Sequence, residues 1–584
     1  MEQHQSRLLA LPRELRDLIY REYVRSGTED GYTYDFEAGK LRTADGLPID
    51  LNLVYTCRLV AAEMEGLALR LQPITFSTLY SEDVRVRAGF WDLIINSAPV
   101  EDEGYCLREF ASKMTPEMVQ EVARRYHDTH FFAIVSRMHT RNFRLRHTGY
   151  PIPSDQTFGE VPSVYRRMAR DVMQLGVNDP AIYEDLAVRP EIRRERCDPA
   201  VCVGLGEEPW VLWKIPTASE LDALADQVSE VDEDVWKRET YQSRDKGWGK
   251  CRFSAAAAAI HFLSSNPRIR RHIHNIILHE DRESVARPEC HAQGLITFCR
   301  ENPHLRVERR VSLWKNLFLT CYPNWGGSHG SNHLWLAHHR ASKHRIRLQA
   351  DYVTRRVAEY IVEASVPEMP AAITLVLDGD PLPELASHIF RDAVQRDAAW
   401  QTALDRTFSA ARGAHPDDVF YKRAMACFFF VGFPEVLRAM CLQHQHQRQR
   451  ARKAPAGRGP RDGDVSPPPP PCHVRCNFDP GEPWDDTRVA AETEETIRRR
   501  DAGVEKWWDE QEEEEFYEDP NVEIPQWWEG LLGAEKWEVL WGREDVSYQT
   551  TPPLPEYHLL YDETVLPGPL PWEPEPHFAG LYLN

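Results

Sequence analysis

The chain has 584 residues, of which 42% are hydrophobic and 28% charged, and its formal net charge is -21. This length exceeds what one hydrophobic core usually organises, so the sequence predicts two or three structural units. The acidic balance argues against generic nucleic-acid binding, which requires a basic face. We find neither a run of about 18 apolar residues nor a secretory signal pattern. We therefore expect a protein of the cytoplasm or the nucleus without a membrane partner.

The 12 cysteines are scattered along the chain, mostly in apolar surroundings. Secreted domains that depend on disulfides concentrate their cysteines in a short framework instead. This usage predicts reduced and mostly buried thiols.

The N-terminal part predicts two amphipathic helices with a small hairpin between them. Apolar residues recur at helical spacing from Leu8 to Val24, where Pro12 suits a first helical turn. Alternating residues at 32–43 around the turn EAGK are typical of a hairpin. A second apolar stripe runs from Leu51 to Leu71. The run ITFSTLY at Ile74–Tyr80 then predicts a strand.

Residues 82–441 predict a mixed α/β body. Helical periods alternate with short strands, and this alternation favours a sheet covered by helices. The helices are expected at 161–172, 221–231, 253–263 and 352–361 and near Leu295, and the strands at 269–279, 305–313 and 371–377. We see no repeat of fixed period that would indicate a solenoid.

The composition changes after Cys441. Residues 442–505 are basic and proline-rich with almost no large apolar residue, which predicts a disordered linker. Its basic residues from Arg448 to Arg461 fit a nuclear-import signal or an electrostatic patch for an acidic partner, and they fit a solvated linker equally well. Disorder is expected most clearly from Gln443 to Asp501.

Residues 506–584 form an acidic tail rich in proline and tryptophan. The tail contains the run Glu512–Glu515 and the tryptophans Trp507, Trp508, Trp527, Trp528, Trp537, Trp541 and Trp572. Aromatic residues this dense can bury large areas, so we expect the tail to pack on the body or to wait for a partner. The predicted fold class is α+β, with an N-terminal helical hairpin, a mixed α/β body, a disordered linker and this tail.

The N-terminal helix pair, within residues 1–81, resembles an F-box domain. The matching elements are LPxEL…I at Leu11–Ile19 and YTCR at Tyr55–Arg58. With PITF at Pro73–Phe76, the pattern LPRELRDLIY…TCR…ITF is more similar still to a group of uncharacterised fungal F-box-like proteins. That resemblance extends through HEDRESVARPECHAQGLITFCRENPHLRVERRVSLW, at His279–Trp314. F-box domains dock on the Skp-type subunit of a cullin-based ubiquitin ligase, so the resemblance implies partner-binding roles for Leu11, Pro12, Leu15 and Ile19.

The hairpin between the two helices departs from an ordinary F-box, which lacks such an insertion. The alternative interpretation is a packed helical hairpin that closes one end of the body, since Leu-Pro before an amphipathic helix is a common helix start. Docking of a helix in a groove requires an exposed apolar face.

One pattern in the body matches the GxSxG signature of serine hydrolases. It lies at Gly326–Gly330, with Ser328 as the candidate nucleophile. The residues Pro323-Asn324 interrupt the strand that would have to expose this serine. The nearest later acid and histidine, Asp378 and His388, stand too close together for the usual triad spacing. We favour a glycine-rich surface loop.

Histidines and cysteines cluster in two segments. The clusters are His272, His274, His279, Cys290, His291 and Cys299, and, in the linker, Cys472, His473 and Cys476. Zinc sites usually combine two closely spaced ligand pairs, and the sequence has no such double pair. Gly204 and Gly206 lack the third glycine of a dinucleotide site. We therefore assign no metal or cofactor site.

The sequence indicates no catalytic residue. We expect a non-enzymatic adaptor, namely an F-box-type substrate receptor that joins a Skp-type subunit and a cullin through its N-terminus. Its target protein, which the body would bind, is unknown. The alternatives are a structural interaction protein unrelated to ubiquitin ligases, and a serine hydrolase that uses Ser328.

Overall fold

The computed structural model of the chain describes residues 6–97, 107–141, 157–188, 204, 210–228, 252–320, 350–405, 428–453 and 472–483, with gaps at 29, 108–109, 128, 158, 381–382, 400 and 403–404. Ser328 and its GxSxG pattern, most of the expected linker and the whole of the expected tail lie outside these ranges. Of the glycine pair near residue 205, only Gly204 is described.

Seven strands of the described residues form one sheet. They are β1 (Tyr32–Asp35), β2 (Lys40–Thr43), β3 (Ile74–Ser77), β4 (Asn275–Glu280), β5 (Arg306–Ser312), β6 (Ile373–Asp378) and β7 (Val474–Cys476). The order across the sheet is β2-β1-β3-β4-β5-β6-β7. Strands β1 and β2 form an antiparallel hairpin, and all other neighbours are parallel. Helices and a mixed sheet confirm the predicted α+β class.

Helices precede, connect and follow the strands. Up to residue 228 the described helices are α1 (Arg13–Ser26), α2 (Arg58–Glu63), α3 (Leu67–Leu71), α4 (Glu82–Ser97), α5 (Pro116–Tyr126), α6 (His130–Arg141), α7 (Pro162–Val177), α8 (Pro180–Val188) and α9 (Ala218–Val228). Later in the chain they are α10 (Ala255–Ser265), α11 (Ile296–Glu301), α12 (Ala350–Glu363), α13 (Pro383–Ile389) and α14 (Phe433–Lys453). Short 3₁₀ segments lie at Arg270–His272, Pro288–Leu295 and Leu317–Thr320, and a π-helical segment, Phe390–Gln395, continues α13.

The alanine-rich helix α10 packs directly on the sheet. Ser254 caps this helix by accepting a hydrogen bond from the Ala257 N–H at 2.9 Å. The five alanines at its start are fully buried, because small side chains let the helix approach its neighbours closely. Phe262 near its end packs on Phe76 of β3, with ring centroids 5.6 Å apart. The helix therefore covers β3 and β4 from one side.

Side chains alternate between two environments along the parallel strands, as the period of two residues requires. One set belongs to the hydrophobic core: Ile74, Phe76, Ile276, Leu278, Val307, Val311, Ile373, Leu375, Leu377 and Val474. The side chains between them are mostly half-buried or exposed. The cores that the described residues form therefore lie on one face of the sheet.

The N-terminal residues share this sheet with the body. Strand β1 pairs with β3, and β3 pairs with β4 through Ile74 opposite Ile276. Gly31 precedes β1 with φ +81°, and a Cβ added there would lie 2.5 Å from the Pro73 carbonyl oxygen. Only glycine fits such a close approach in this backbone conformation. The hairpin that an ordinary F-box lacks is thus an edge of the sheet.

Most elements of the body lie where the sequence predicts them. The strand expected at 305–313 is β5, the strand expected at 371–377 is β6, and the helix expected at 352–361 is α12. The strand expected at 269–279 begins only at Asn275. It is preceded by a 3₁₀ turn in which the His272 N–H donates to the Ile269 carbonyl at 2.9 Å, so these residues satisfy their hydrogen bonds locally.

Two segments correct the prediction of a disordered linker. Helix α14 continues through residues 442–453, because its apolar first half is buried and the polar residues that follow are mostly good helix formers. Residues 472–483 contain the edge strand β7, in which Val474 is buried, and Phe478 after it is buried too. The few apolar residues that anchor these segments do not change their average composition, which is polar, so composition alone did not predict them. The Gln443 side chain also accepts a hydrogen bond from the Cys472 N–H at 3.2 Å.

Candidate functional site

Helix α1 packs against α2 and α3 through its inward face. Tyr20 and Val24 are buried and form a small core with Val60 and Met64. The phenol of Tyr20 donates a hydrogen bond to the Glu63 carboxylate at 2.8 Å. This core fixes the rotation of α1 about its own axis.

A charged cluster fixes the same contact. The Arg16 guanidinium donates to both carboxylate oxygens of Glu63, from Nε to Oε2 at 3.0 Å and from Nη2 to Oε1 at 2.6 Å. Arg13 adds an ion pair to the same carboxylate at 2.9 Å. The Arg16 hydrogen bonds, with help from Tyr20 and Arg13, lower the pKa of Glu63 to about 2 against the cost of desolvation. Glu63 is therefore charged at any physiological pH.

The outward face of α1 carries three exposed apolar side chains. Leu15, Leu18 and Ile19 expose 46%, 59% and 40% of their surface. Residues at positions i, i+3 and i+4 lie on one side of a helix, and this side is turned away from Arg16 and Tyr20. We call these three residues the α1 stripe.

The structure therefore brings together two of the four residues that the F-box resemblance implies. Leu15 and Ile19 belong to the α1 stripe, while Pro12 is exposed and Leu11 is half-buried at the start of the helix. The prediction omitted Leu18, although its spacing of three residues from Leu15 places it on the same side.

Further apolar side chains are exposed in the same N-terminal region. They are Leu47, Leu51 and Tyr55, which lie between the hairpin and α2, and Leu59 of α2. Elsewhere in the described part of the chain, the large hydrophobic residues of comparable exposure are Val431 and Leu442. Scattered exposed leucines are normal on a soluble protein, but a concentration of them indicates a contact surface.

A buried polar network lies on the face of the sheet that the described cores cover, beside β4 and β5. Its members are Ser254, Glu280, Cys290, His291, Arg309, Tyr360 and Glu363, all buried. Four of the seven, Glu280, Cys290, His291 and Arg309, lie within the segment His279–Trp314. The other three are Ser254, which caps α10, and Tyr360 and Glu363 of α12. Cysteine apart, these residue types are rarely buried in folded proteins unless they are paired.

Glu280 and Arg309 form the charged centre of this network. The Arg309 Nε lies 3.3 Å from Glu280 Oε1, and both side chains are almost completely buried. Arg309 also donates to the Glu289 carbonyl at 3.1 Å and to the Pro288 carbonyl at 2.5 Å. Its guanidinium lies over the Tyr360 ring, 5.0 Å from the centroid. Burial raises the pKa of Glu280, and Arg309 opposes this shift.

Ser254 and His291 form a second part of the network. The His291 Nε2 lies 2.8 Å from the Ala286 carbonyl, which can only accept, so Nε2 carries the proton. The Nδ1 then accepts from the Ser254 hydroxyl at 2.7 Å. Burial lowers the pKa of His291 to about 4, so the ring is neutral. Ala286 and Arg287 have φ of 60° and 59°, a strained pair that these contacts hold in place.

Glu363 of α12 forms the third part. Its carboxylate accepts from the Ser163 N–H at 2.7 Å and from the Gln293 side chain at 2.9 Å. The Cys290 thiol lies 3.5 Å from the same carboxylate, and burial raises the pKa of this thiol. The contacts join α12, α7 and the 3₁₀ segment Pro288–Leu295.

A serine beside a histidine is a familiar nucleophile arrangement, but this pair is closed to substrate. Both Ser254 and His291 are fully buried, and the serine hydroxyl already accepts from the Ala257 N–H. A nucleophile must be reachable by the bond that it attacks. We therefore assign no nucleophilic role to Ser254.

The other candidates of the sequence do not meet in a site. Asp378 accepts from the Asn477 side chain at 2.6 Å, while His388 of α13 contacts Arg391 of the π-helical segment. His274 stacks on His304, with ring centroids 5.2 Å apart. Across the described ranges, no group of three or more His, Cys, Asp or Glu residues is placed to hold a metal ion.

Among the described helices, none combines the length and the apolar character that a membrane span requires. The chain matches no protein-family model, no curated protein and no solved structure.

Proposed function

We propose that the chain is a non-enzymatic adaptor of the cytoplasm or the nucleus that docks a Skp-type subunit of a cullin-based ubiquitin ligase on helix α1. An unknown target protein would bind elsewhere on the body. The observation that carries the proposal is the α1 stripe, an exposed apolar row on a helix whose opposite face is fixed.

The geometry of the stripe suits a groove on a partner. An amphipathic helix enters a hydrophobic groove through residues spaced as Leu15, Leu18 and Ile19 are. Complete burial of a leucine or isoleucine contributes about 1.5–3 kcal/mol, so covering these half-exposed side chains contributes about 3 kcal/mol in total. Because Glu63 and the small core already fix α1, little conformational entropy is lost on binding.

The choice of partner rests on the F-box resemblance of LPxEL…I and TCR. The hairpin insertion, which departs from an ordinary F-box, forms the edge of the sheet, where β1 pairs with β3. It leaves Leu15, Leu18 and Ile19 exposed. Both facts support docking on α1.

The test is affinity purification of the tagged full-length protein, with detection of a Skp-type subunit and a cullin. We expect both to co-purify with the wild type and to be lost from the double variant Leu15→Asp/Ile19→Asp, since a charge in a desolvated apolar contact is costly.

The matched control is Leu442→Asp, because Leu442 is 40% exposed on α14 and lies outside the N-terminal region. This variant should retain both proteins. Absence of the Skp-type subunit from the wild type, or its equal recovery with the double variant, would contradict the proposal. A different protein that is lost from the double variant alone would favour an interaction protein unrelated to ubiquitin ligases.

A further inference from the structure

The face of the sheet opposite the described cores has no described cover. Its residues include Thr75, Ser77, Ile277, His279, Glu308, Arg310, Thr374, Val376 and Arg475, and we call these nine the open face. Strand register places Ser77, His279, Arg310, Val376 and Arg475 in one row across five strands. Ser77, Arg310 and Arg475 are exposed, and the other members are half-buried.

The apolar residues of this face are separate from the described cores. Ile277 and Val376 belong to neither of the two clusters that line the sheet, nor to the partly buried residues packed against them. Parallel sheets occur almost only where both faces are covered. Ile277 and Val376 add apolar surface to a face that is otherwise polar, and an occupant of the face would bury it.

The segment that follows the last described strand has the composition of such an occupant. Residues 484–584 contain eight of the 17 tryptophans, and acidic residues greatly outnumber basic ones there. Tryptophan buries a large area in a contact. The exposed Arg475 offers the opposite charge to the run Glu512–Glu515, as does the exposed Arg310, which is also paired with Glu308 of the same face at 2.5 Å. The basic residues of the face and the acidic run are complementary in charge.

The segment can also reach the open face. The described chain continues after β7 to Pro483, beside the π-helical segment, where the Pro480 carbonyl accepts from Gln395. Residues 484–505 precede the tryptophan-rich part and span up to about 70 Å when extended. A seven-stranded sheet is about 30 Å wide at about 4.8 Å per strand.

We propose that residues 484–584 of the same chain cover the open face, with tryptophans over Ile277 and Val376 and carboxylates beside Arg310 and Arg475. The surface is an intramolecular docking site, distinct from the α1 stripe.

The experiment uses the full chain with a site-specific protease sequence inserted between Ala490 and Ala491. The folded protein is cleaved and then analysed by size-exclusion chromatography. We expect the released segment to co-elute with the rest of the chain, and to separate from it in 1 M NaCl or in the variant Arg310→Glu/Arg475→Glu. Arg124→Glu on α5 is the control, since Arg124 is exposed on a helix outside the sheet; it should keep the segment bound.

Zero-length carbodiimide coupling of the uncleaved protein gives an independent measurement. Lys315 follows β5 at the carboxyl edge of the sheet, and we expect it to couple to acidic residues of 484–584 within one molecule. Separation of the wild-type segment after cleavage at low salt would overturn the proposal. Equal retention of the released segment by Arg310→Glu/Arg475→Glu and by Arg124→Glu would also overturn it. Coupling that joins two copies of the chain would do the same.

Discussion

Arg16 and Glu63 are 47 residues apart in the sequence and share two hydrogen bonds of 3.0 and 2.6 Å. The pair determines which side of α1 faces α2 and, as a consequence, which side faces solvent. The exposure of Leu15, Leu18 and Ile19 follows from this contact.

The Arg16–Glu63 contact predicts a dependence of stability on pH. The pKa of Glu63 is lowered in the folded protein to about 2, below its ordinary value of 4.5. A carboxyl whose folded pKa is depressed contributes stability above its unfolded pKa, and this contribution is lost as the pH falls through the folded value. Wild type should therefore be more stable than Glu63→Gln at pH 6, and the difference should shrink steadily between pH 4.5 and about 2.

The measurement is urea unfolding of both proteins followed by circular dichroism at several pH values. The other carboxylates are common to both proteins, so their contributions cancel in the difference between the two free energies of unfolding. A difference that stays constant down to pH 2.5 would show that Glu63 does not bear the charge in this contact.

The buried pair Glu280 and Arg309 predicts a large effect from removing one partner. Glu280→Ala leaves Arg309 charged and buried, and the loss of one partner from a buried pair costs about 3–5 kcal/mol. Replacing both residues by methionine should cost much less, since no buried charge remains. Denaturant unfolding of the two variants checks the order. A double replacement as unstable as the single one would show that the unpaired charge is not the source of the loss.

Replacing Gly66, in the turn between α2 and α3, should destabilise the protein, and Gly46 offers a comparison at a similar backbone angle. Its φ is +65°, and a Cβ added there would overlap the imidazole of His272. Gly46 has a similar φ of +80° but nothing near the added Cβ. Gly46→Ala should cost about 1 kcal/mol for the backbone alone, and Gly66→Ala about 1–3 kcal/mol more. Equal losses in thermal unfolding would mean that His272 moves aside freely.

The central strands could be predicted because their information is local. The alternation in RVERRVS and ITLVLD marks β5 and β6 without knowledge of their neighbours. Strand β7 was missed, because three residues in a proline-rich surrounding carry too little pattern; only the buried Val474 and Phe478 distinguish them.

The candidate sites depend on contacts that sequence does not display. Helical spacing alone does not show whether the α1 stripe faces the core or solvent. The distant contacts of Arg16 with Glu63 and of Tyr20 and Val24 with Val60 and Met64 turn it outward. The buried network joins Cys290 to Glu363 across 73 positions and Ser254 to His291 across 37. Pairs so far apart along the chain cannot be predicted from residue spacing.

The most direct test of the proposed function is calorimetric titration of the purified full-length protein with a purified Skp-type subunit. We predict saturable binding by the wild type and by Leu442→Asp, and at least a hundredfold loss of affinity for Leu15→Asp and for Ile19→Asp, corresponding to about 2.7 kcal/mol. Circular dichroism should show all four proteins equally folded, since the substituted side chains are exposed. Binding of the two α1 variants with wild-type affinity, or no binding by the wild type itself, would contradict docking through α1.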